Sequence, residues 1–151
     1  MEILMVGCGK MGGAMLRRWL DKVPARFTAV NRTPSAIPDG AQHAGSPEAL
    51  DGRRFDAIII AVKPQQIAEI MPAYTPFLKE GGCLISIAAG FSIASIQREL
   101  GDHPVIRIMP NLPALIGRSV NGLYADPACT QAHRDLATQL AKTTGTAIWV
   151  D

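Results

Sequence analysis

Glu2-Ile3-Leu4-Met5-Val6-Gly7-Cys8-Gly9-Lys10-Met11-Gly12-Gly13 is the stretch on which the fold turns. The apolar run Ile3 to Val6 predicts a strand, and Gly7-Cys8-Gly9-Lys10-Met11-Gly12 follows it directly. Beyond the glycines, Met11, Met15 and Trp19 beside Gly12, Leu16 and Leu20 form one apolar stripe at helical spacing, while Arg17, Arg18 and Lys22 face away. A strand, a glycine turn and an amphipathic helix in that order give the G-x-G-x-x-G spacing its physical meaning. Gly7 allows the tight turn, Gly9 lets a pyrophosphate approach the backbone, and Gly12 permits close packing of helix on strand. The helix N-terminus, with Lys10 and Met11 in its first turn, faces that anion. Cys8 sits among them with no base in sight and reads as a small residue without chemistry.

Outward from this unit, short apolar runs alternate with helical patterns to the end of the chain, the signature of βαβ units and a mostly parallel sheet. Strands are predicted at Phe27 to Asn31, weakly at Ala41 to Ala44, and at Ala57 to Val62, Cys83 to Ile87, Val105 to Met109 and Ala147 to Val150. The runs at 58–62 and 84–87 are almost continuously apolar, as strands covered on both faces must be. Ile67, Ile70, Met71 and Tyr74 predict a helix that Pro72 and Pro76 shorten or kink. Ser92 can cap a helix carrying Ile93, Ile96 and Leu100 and ending at Gly101. Asp126-Pro127 can open another that carries Cys129, Ala132, Leu136 and Leu140 and stops at Gly145. The fold class is therefore α/β, a Rossmann-type doubly wound sheet with helices on both faces, in a single domain over residues 1–151.

Where the second strand ends, NAD-selective sheets of this kind place a carboxylate on the ribose 2′-hydroxyl. Here the residues are Asn31-Arg32-Thr33. A neutral amide, a guanidinium and a hydroxyl can bind a 2′-phosphate that a carboxylate would repel, so the site should take NADP(H) in preference to NAD. The alternative for Arg32 is a solvated side chain on a turn. Further carboxyl ends carry Ala61-Val62-Lys63-Pro64, Ala88-Ala89-Gly90 and Met109-Pro110-Asn111, which should surround the nicotinamide and its ribose. Lys63 can be a catalytic lysine or a surface charge whose backbone does the binding. Asn111 can use its amide on the cofactor or serve as a turn residue between prolines.

Composition limits the rest. With 151 residues, 48% hydrophobic, 19% charged and a net charge of +2, the chain has one domain's worth of core and no electrostatic footprint for nucleic acid. Cys8, Cys83 and Cys129 lack metal-ligand spacing, so no metal is expected and the thiols read as reduced. No apolar run approaches the ~20 residues of a membrane helix, and the N-terminus enters a strand without a signal segment. The expectation is a cytoplasmic protein with a small-molecule substrate. His43, His103 and His133, in a weak strand, a loop and a helix surface, read as structural. No nucleophile, paired carboxylate or metal cluster identifies a catalytic residue, so the chemistry should come from a bound nicotinamide.

Taken in order, the glycine motif at 7–12, Asn31-Arg32, Ala61-Val62-Lys63-Pro64-Gln65, Ser86-Ile87-Ala88-Ala89-Gly90 and Arg107-Ile108-Met109-Pro110-Asn111 resemble pyrroline-5-carboxylate reductase across nearly the whole chain. The resemblance implies NADPH-dependent reduction of the pyrroline C=N bond to proline. It places Gly9, Met11 and Gly12 at the pyrophosphate, Arg32 at the adenosine phosphate, Val62, Lys63, Ala88 and Gly90 at the nicotinamide end, and Asn111 beside the hydride site. Where the family usually has an asparagine on the adenosine ribose, this sequence has Ser46-Pro47-Glu48. The resemblance also implies a further helical domain, absent from these 151 residues. In the family it forms the homo-oligomer and supplies most catalytic and substrate-binding groups, so this chain alone should turn over poorly. Related NADP-dependent imine or hydroxyacid oxidoreductases share the cofactor half, and a non-catalytic NADP-binding module is the reading from a different class.

Overall fold

The computed structural model describes residues 1–33, 37–109 and 119–150. Its strands are β1 (Glu2–Val6), β2 (Arg26–Val30), β3 (Gln42–Ala44), β4 (Phe55–Ile60), β5 (Leu78–Ser86), β6 (Val105–Met109), β7 (Ser119–Ala125) and β8 (Gly145–Trp149). They form one sheet in the order β3-β2-β1-β4-β5-β6-β7-β8. The first six are parallel, in the doubly wound order 3-2-1-4-5-6. β7 runs antiparallel to β6, and β8 is parallel to β7.

Side chains alternate across a strand, and in this sheet both faces are dry. Ile3, Met5, Ala57, Ile59, Cys83, Ile85, Ile106 and Ile108 point to one face. Leu4, Val6, Ile58, Ile60, Leu84 and Val105 point to the other. The first face is covered by α1 (Lys10–Lys22), through Met15, Leu16 and Trp19, and by α4 (Gln131–Thr143), through Leu136, Ala137 and Leu140. The second is covered by α2 (Ile67–Ile70) and α3 (Ile93–Leu100), with Ile67, Met71, Ile96 and Leu100 buried. The α1 stripe thus packs as its spacing predicts. Across the first face, the Trp19 indole Nε1 donates to the carbonyl of Leu140 at 3.0 Å, joining α1 to α4.

Two helix termini follow their sequence signals. Ser92 caps α3 by accepting from the Ser95 N–H at 3.1 Å, and Gly101, at φ 99°, ends it. The helix after β4 survives for only one turn, continuing as 3-10 turns that contain Pro72 and Pro76.

The far side of the sheet departs from expectation. Asp126-Pro127 does not open α4. Thr130 does, accepting from the His133 N–H at 3.2 Å while His133 Nδ1 accepts from the Thr130 N–H at 3.0 Å. His133 is therefore buried rather than on the helix surface, with its Nε2 2.7 Å from the carbonyl of Gly81, and Ala132 is exposed in its place. Asp126 is buried too, and its carboxylate accepts from the N–H groups of Val105 and Ala128 and from the Gln97 amide. β7 is not among the strands predicted from the sequence. In the fold the buried Asn121 amide donates to Ala141 O, Thr144 Oγ1 and Thr146 O, all within 3.2 Å, so β7 carries a polar side chain that α4 and β8 satisfy.

Candidate functional site

The parallel registers line up Val30, Val6, Ile60, Ser86 and Arg107 across five strands. The chain segments that follow these residues therefore leave the sheet at a common edge. The pairing extends one step further, with Gly7 N–H donating to Val30 O, Ala61 N–H to Val6 O and Ile87 N–H to Ile60 O, each between 2.9 and 3.1 Å. This brings the glycine turn, Asn31 to Thr33, Ala61 to Pro64 and Ile87 to Gly90 together. The fourth segment expected here, Pro110 and Asn111, lies outside the described residues.

Each glycine of the turn has its own constraint. Gly7 has φ 89°, and a Cβ there would lie 2.9 Å from the backbone of Ala61 and Val62. Both facts exclude a side chain. A Cβ on Gly12 would meet the Met5 methyl at 2.8 Å, so its absence lets α1 settle on β1. Gly9 is different: its φ is −78°, and a Cβ would touch nothing within 4 Å. The fold does not need a glycine there, and the empty side faces out from the start of α1.

Gly9 is the N-cap of α1 and offers no side-chain cap, and no acidic residue stands in the first turn. The first N–H groups of a 13-residue helix are thus presented without a carboxylate nearby, with Lys10 exposed beside them. Met11 is half-buried against the core. Cys8 is buried, and burial raises its thiol above the usual range, with Arg17 pulling weakly the other way. It is not a nucleophile in this setting.

At the end of β2, the Asn31 amide nitrogen turns inward, 3.5 Å from the Cys8 carbonyl and 3.3 Å from the Thr33 carbonyl, bracing the loop against the glycine turn. Arg32 and Thr33 are exposed, and Arg32 has no partner among the described residues. On β3, the exposed His43 places Nε2 3.1 Å from the carbonyl of Asn31. A carbonyl only accepts, so Nε2 carries the proton.

On the other side of the turn, Lys63 is exposed and stands at the N-cap of the one-turn helix Pro64–Gln66, its carbonyl accepting from the Gln66 N–H at 2.8 Å. After β5, the buried Ser86 hydroxyl accepts from the Ala88 N–H at 3.2 Å and bends the chain so that Ala89 and Gly90 are exposed. Gly90 has φ 71° and open space where a Cβ would stand. In the sequence His43 reads only as structural and Ser86 only as the first residue of a motif. The pairing of β3 with β2 is what singles out the first, and no sequence signal assigns the second its bond to Ala88.

The edge therefore offers backbone donors at a helix start, a guanidinium one strand away with no partner among the described residues, and small residues opposite. No Asp or Glu occurs in the described parts of these loops. Among the described residues no His, Cys, Asp and Glu group could hold a metal ion, and no helix is long and apolar enough to cross a membrane. A cavity of about 370 Å³ lined by Pro47, Glu48, Asp51 and Phe77, and another of about 180 Å³ beside Asp56, Lys79 and His133, include none of these loop residues. The arrangement suits a long, anionic ligand laid across the strand ends.

Comparison with known proteins agrees with this geometry. The family model described as NADP oxidoreductase, coenzyme F420-dependent, matches residues 2–90. A pyrroline-5-carboxylate reductase of Pseudomonas aeruginosa is 40% identical over 97 residues, which is 64% of this chain and 36% of that protein. The solved pyrroline-5-carboxylate reductase of Coxiella burnetii superposes with a TM-score of 0.87 at 26% identity, covering 99% of this chain and 58% of that one. The Plasmodium falciparum pyrroline carboxylate reductase, solved with NADP bound, has the same fold, with a TM-score of 0.85 at 21% identity over 99% of this chain and 57% of that one. The matches thus span between about a third and three fifths of these relatives' length.

Proposed function

Because the chain belongs to the family described as coenzyme F420-dependent NADP oxidoreductases, we propose that it is the NADPH-binding half of a pyrroline-5-carboxylate reductase, which reduces 1-pyrroline-5-carboxylate to L-proline. The observation that carries this reading is Gly9. It is open where the fold has no use for openness, at a helix start that no side chain caps. A pyrophosphate needs that combination: backbone approach, oriented N–H donors and no carboxylate.

In this reading Gly7 and Gly12 shape the turn, and Gly9, Lys10 and Met11 meet the pyrophosphate. Asn31 braces the loop from which Arg32 and Thr33 hold the adenosine 2′-phosphate. Val62, Lys63, Pro64, Ala88, Ala89 and Gly90 border the nicotinamide and its ribose, and Asn111 is assigned to the cofactor on the resemblance alone. Hydride for the imine carbon is the chemistry that a bound nicotinamide supplies. The chain itself binds, orients and covers one side of that ring. Lys63 is read here as acting through its backbone, with its side chain an exposed surface charge.

The further length of the relatives is the natural source of a helical domain that binds the pyrroline ring and its carboxylate and forms the homo-oligomer. Work in the cytoplasm fits a small-molecule biosynthetic enzyme of this kind. The test is a titration of the chain with NADPH and NADH, alongside Arg32→Ala. One charge-assisted hydrogen bond contributes about 1.5–3 kcal/mol, so the variant should lose roughly ten- to 150-fold in NADPH affinity, with NADH unchanged. Equal affinity of the unaltered chain for both nucleotides would sink the 2′-phosphate assignment. Turnover of pyrroline-5-carboxylate by the chain extended to its relatives' length, and none of a 3-oxoacid, decides the substrate.

A further inference from the structure

His43 was expected to do nothing beyond structure, yet the fold sets it against the loop on which cofactor choice rests. Its register partner on β2 is Ala29, whose side chain belongs to the face that carries α1. The imidazole therefore lies on the α1 side of the sheet, and its Nε2–H donates to the carbonyl of Asn31, the residue before Arg32. Asn31 is in turn tied to the glycine turn through Cys8 O. The exposed edge strand thus holds the Arg32 loop from one side while the pyrophosphate turn holds it from the other.

Resting on the cofactor reading above, we infer that His43 is a positioning residue for the 2′-phosphate subsite: its Nε2–H holds the carbonyl that precedes Arg32 and so fixes the loop from which that guanidinium acts. The role needs only a donor at that point, so a side chain that can donate in its place restores it and one that cannot does not. A ligand carrying the 2′-phosphate feels the loss, and one lacking it does not.

The experiment measures NADPH and NADH affinity for the chain, His43→Ala and His43→Gln under one set of conditions. His43→Ala should bind NADPH about two- to tenfold more weakly, the scale of one ordinary hydrogen bond. His43→Gln, whose amide can still donate to Asn31, should restore the affinity of the unaltered chain. NADH affinity should not move in either variant. Undiminished NADPH affinity in His43→Ala, an equal loss in His43→Gln, or a parallel loss of NADH affinity overturns the inference while leaving the cofactor reading intact. Failure of the unaltered chain to bind either nucleotide overturns both.

Discussion

Alanine at Gly7 and alanine at Gly9 should fail in opposite ways. Gly7→Ala puts a Cβ on a residue at φ 89°, where an L side chain costs about 1–2 kcal/mol. It also drives that atom to 2.9 Å from three backbone atoms of Ala61 and Val62. Those atoms belong to the β1–β4 junction and cannot swing aside like a side chain, so overpacking adds about 1–3 kcal/mol. For a chain of this size each kcal/mol lowers the melting temperature by about 2–4 °C, so the total of about 2–5 kcal/mol should appear as a drop of roughly 4–20 °C. Gly9→Ala meets no atom within 4 Å and needs no unusual φ. Its melting temperature should stay within about 2 °C, the usual range for an unconstrained surface substitution. Its Cβ, however, fills the space a pyrophosphate would take, and a forced contact of about 1–3 kcal/mol lowers NADPH affinity roughly five- to 150-fold. Thermal unfolding and nicotinamide fluorescence on the two variants check both halves. A Gly9→Ala protein that melts like Gly7→Ala, or that binds NADPH like the unaltered chain, would refute the division between a glycine the fold requires and one the ligand requires.

Asp126→Ala should cost about 2–4 kcal/mol in urea unfolding, because the buried N–H of Val105 loses its acceptor as the Ala128 and Gln97 bonds are lost. A midpoint shift below 0.5 kcal/mol would show that water replaces the carboxylate. Burial pushes the Cys83 thiol up to about 12, so above its unfolded value near 9 the unfolded chain ionises while the folded chain keeps the proton. That contribution is whole below pH 9 and falls by about 1.4 kcal/mol per pH unit until the folded thiol itself ionises near 12. Cys83→Ala should make the loss of stability between pH 9 and 11 shallower, and an unchanged slope would assign it elsewhere.

What could be read in advance depended on whether a residue's role was local. β1, β4 and β6 were legible because strands covered on both faces must be apolar nearly throughout, and α1 because its stripe repeats at helical spacing. β5 was legible only in its second half. Its first half, Leu78 to Gly82, contains Glu80-Gly81-Gly82, which looks like a turn, and the register with β4 shifts there between Phe55 and Ala57. β7 and the start of α4 were lost for a related reason. Asn121 is acceptable in a strand only because three acceptors from α4 and β8 meet it, and His133 stands where a capping box usually has an acidic side chain. The glycine turn and Arg32 were legible because their constraint lies in φ, in space or in charge at a known distance from a strand end. His43 was not, since its meaning arises from a neighbour 12 residues away that only sheet pairing brings close.

The Trp19 indole waits a long time for its partner. Its acceptor is the carbonyl of Leu140, 121 residues later. During synthesis at about 5–20 residues per second, the tryptophan is made on the order of 6–24 s before the atom that satisfies its N–H. β1, α1 and β2 can associate in that interval, but the flank of α1 that meets α4 is dressed only by water until α4 arrives. A nascent chain stalled before residue 140 therefore carries Trp19 in a half-built environment, and with Trp149 replaced the emission of Trp19 becomes a clock for the moment at which α4 reaches α1.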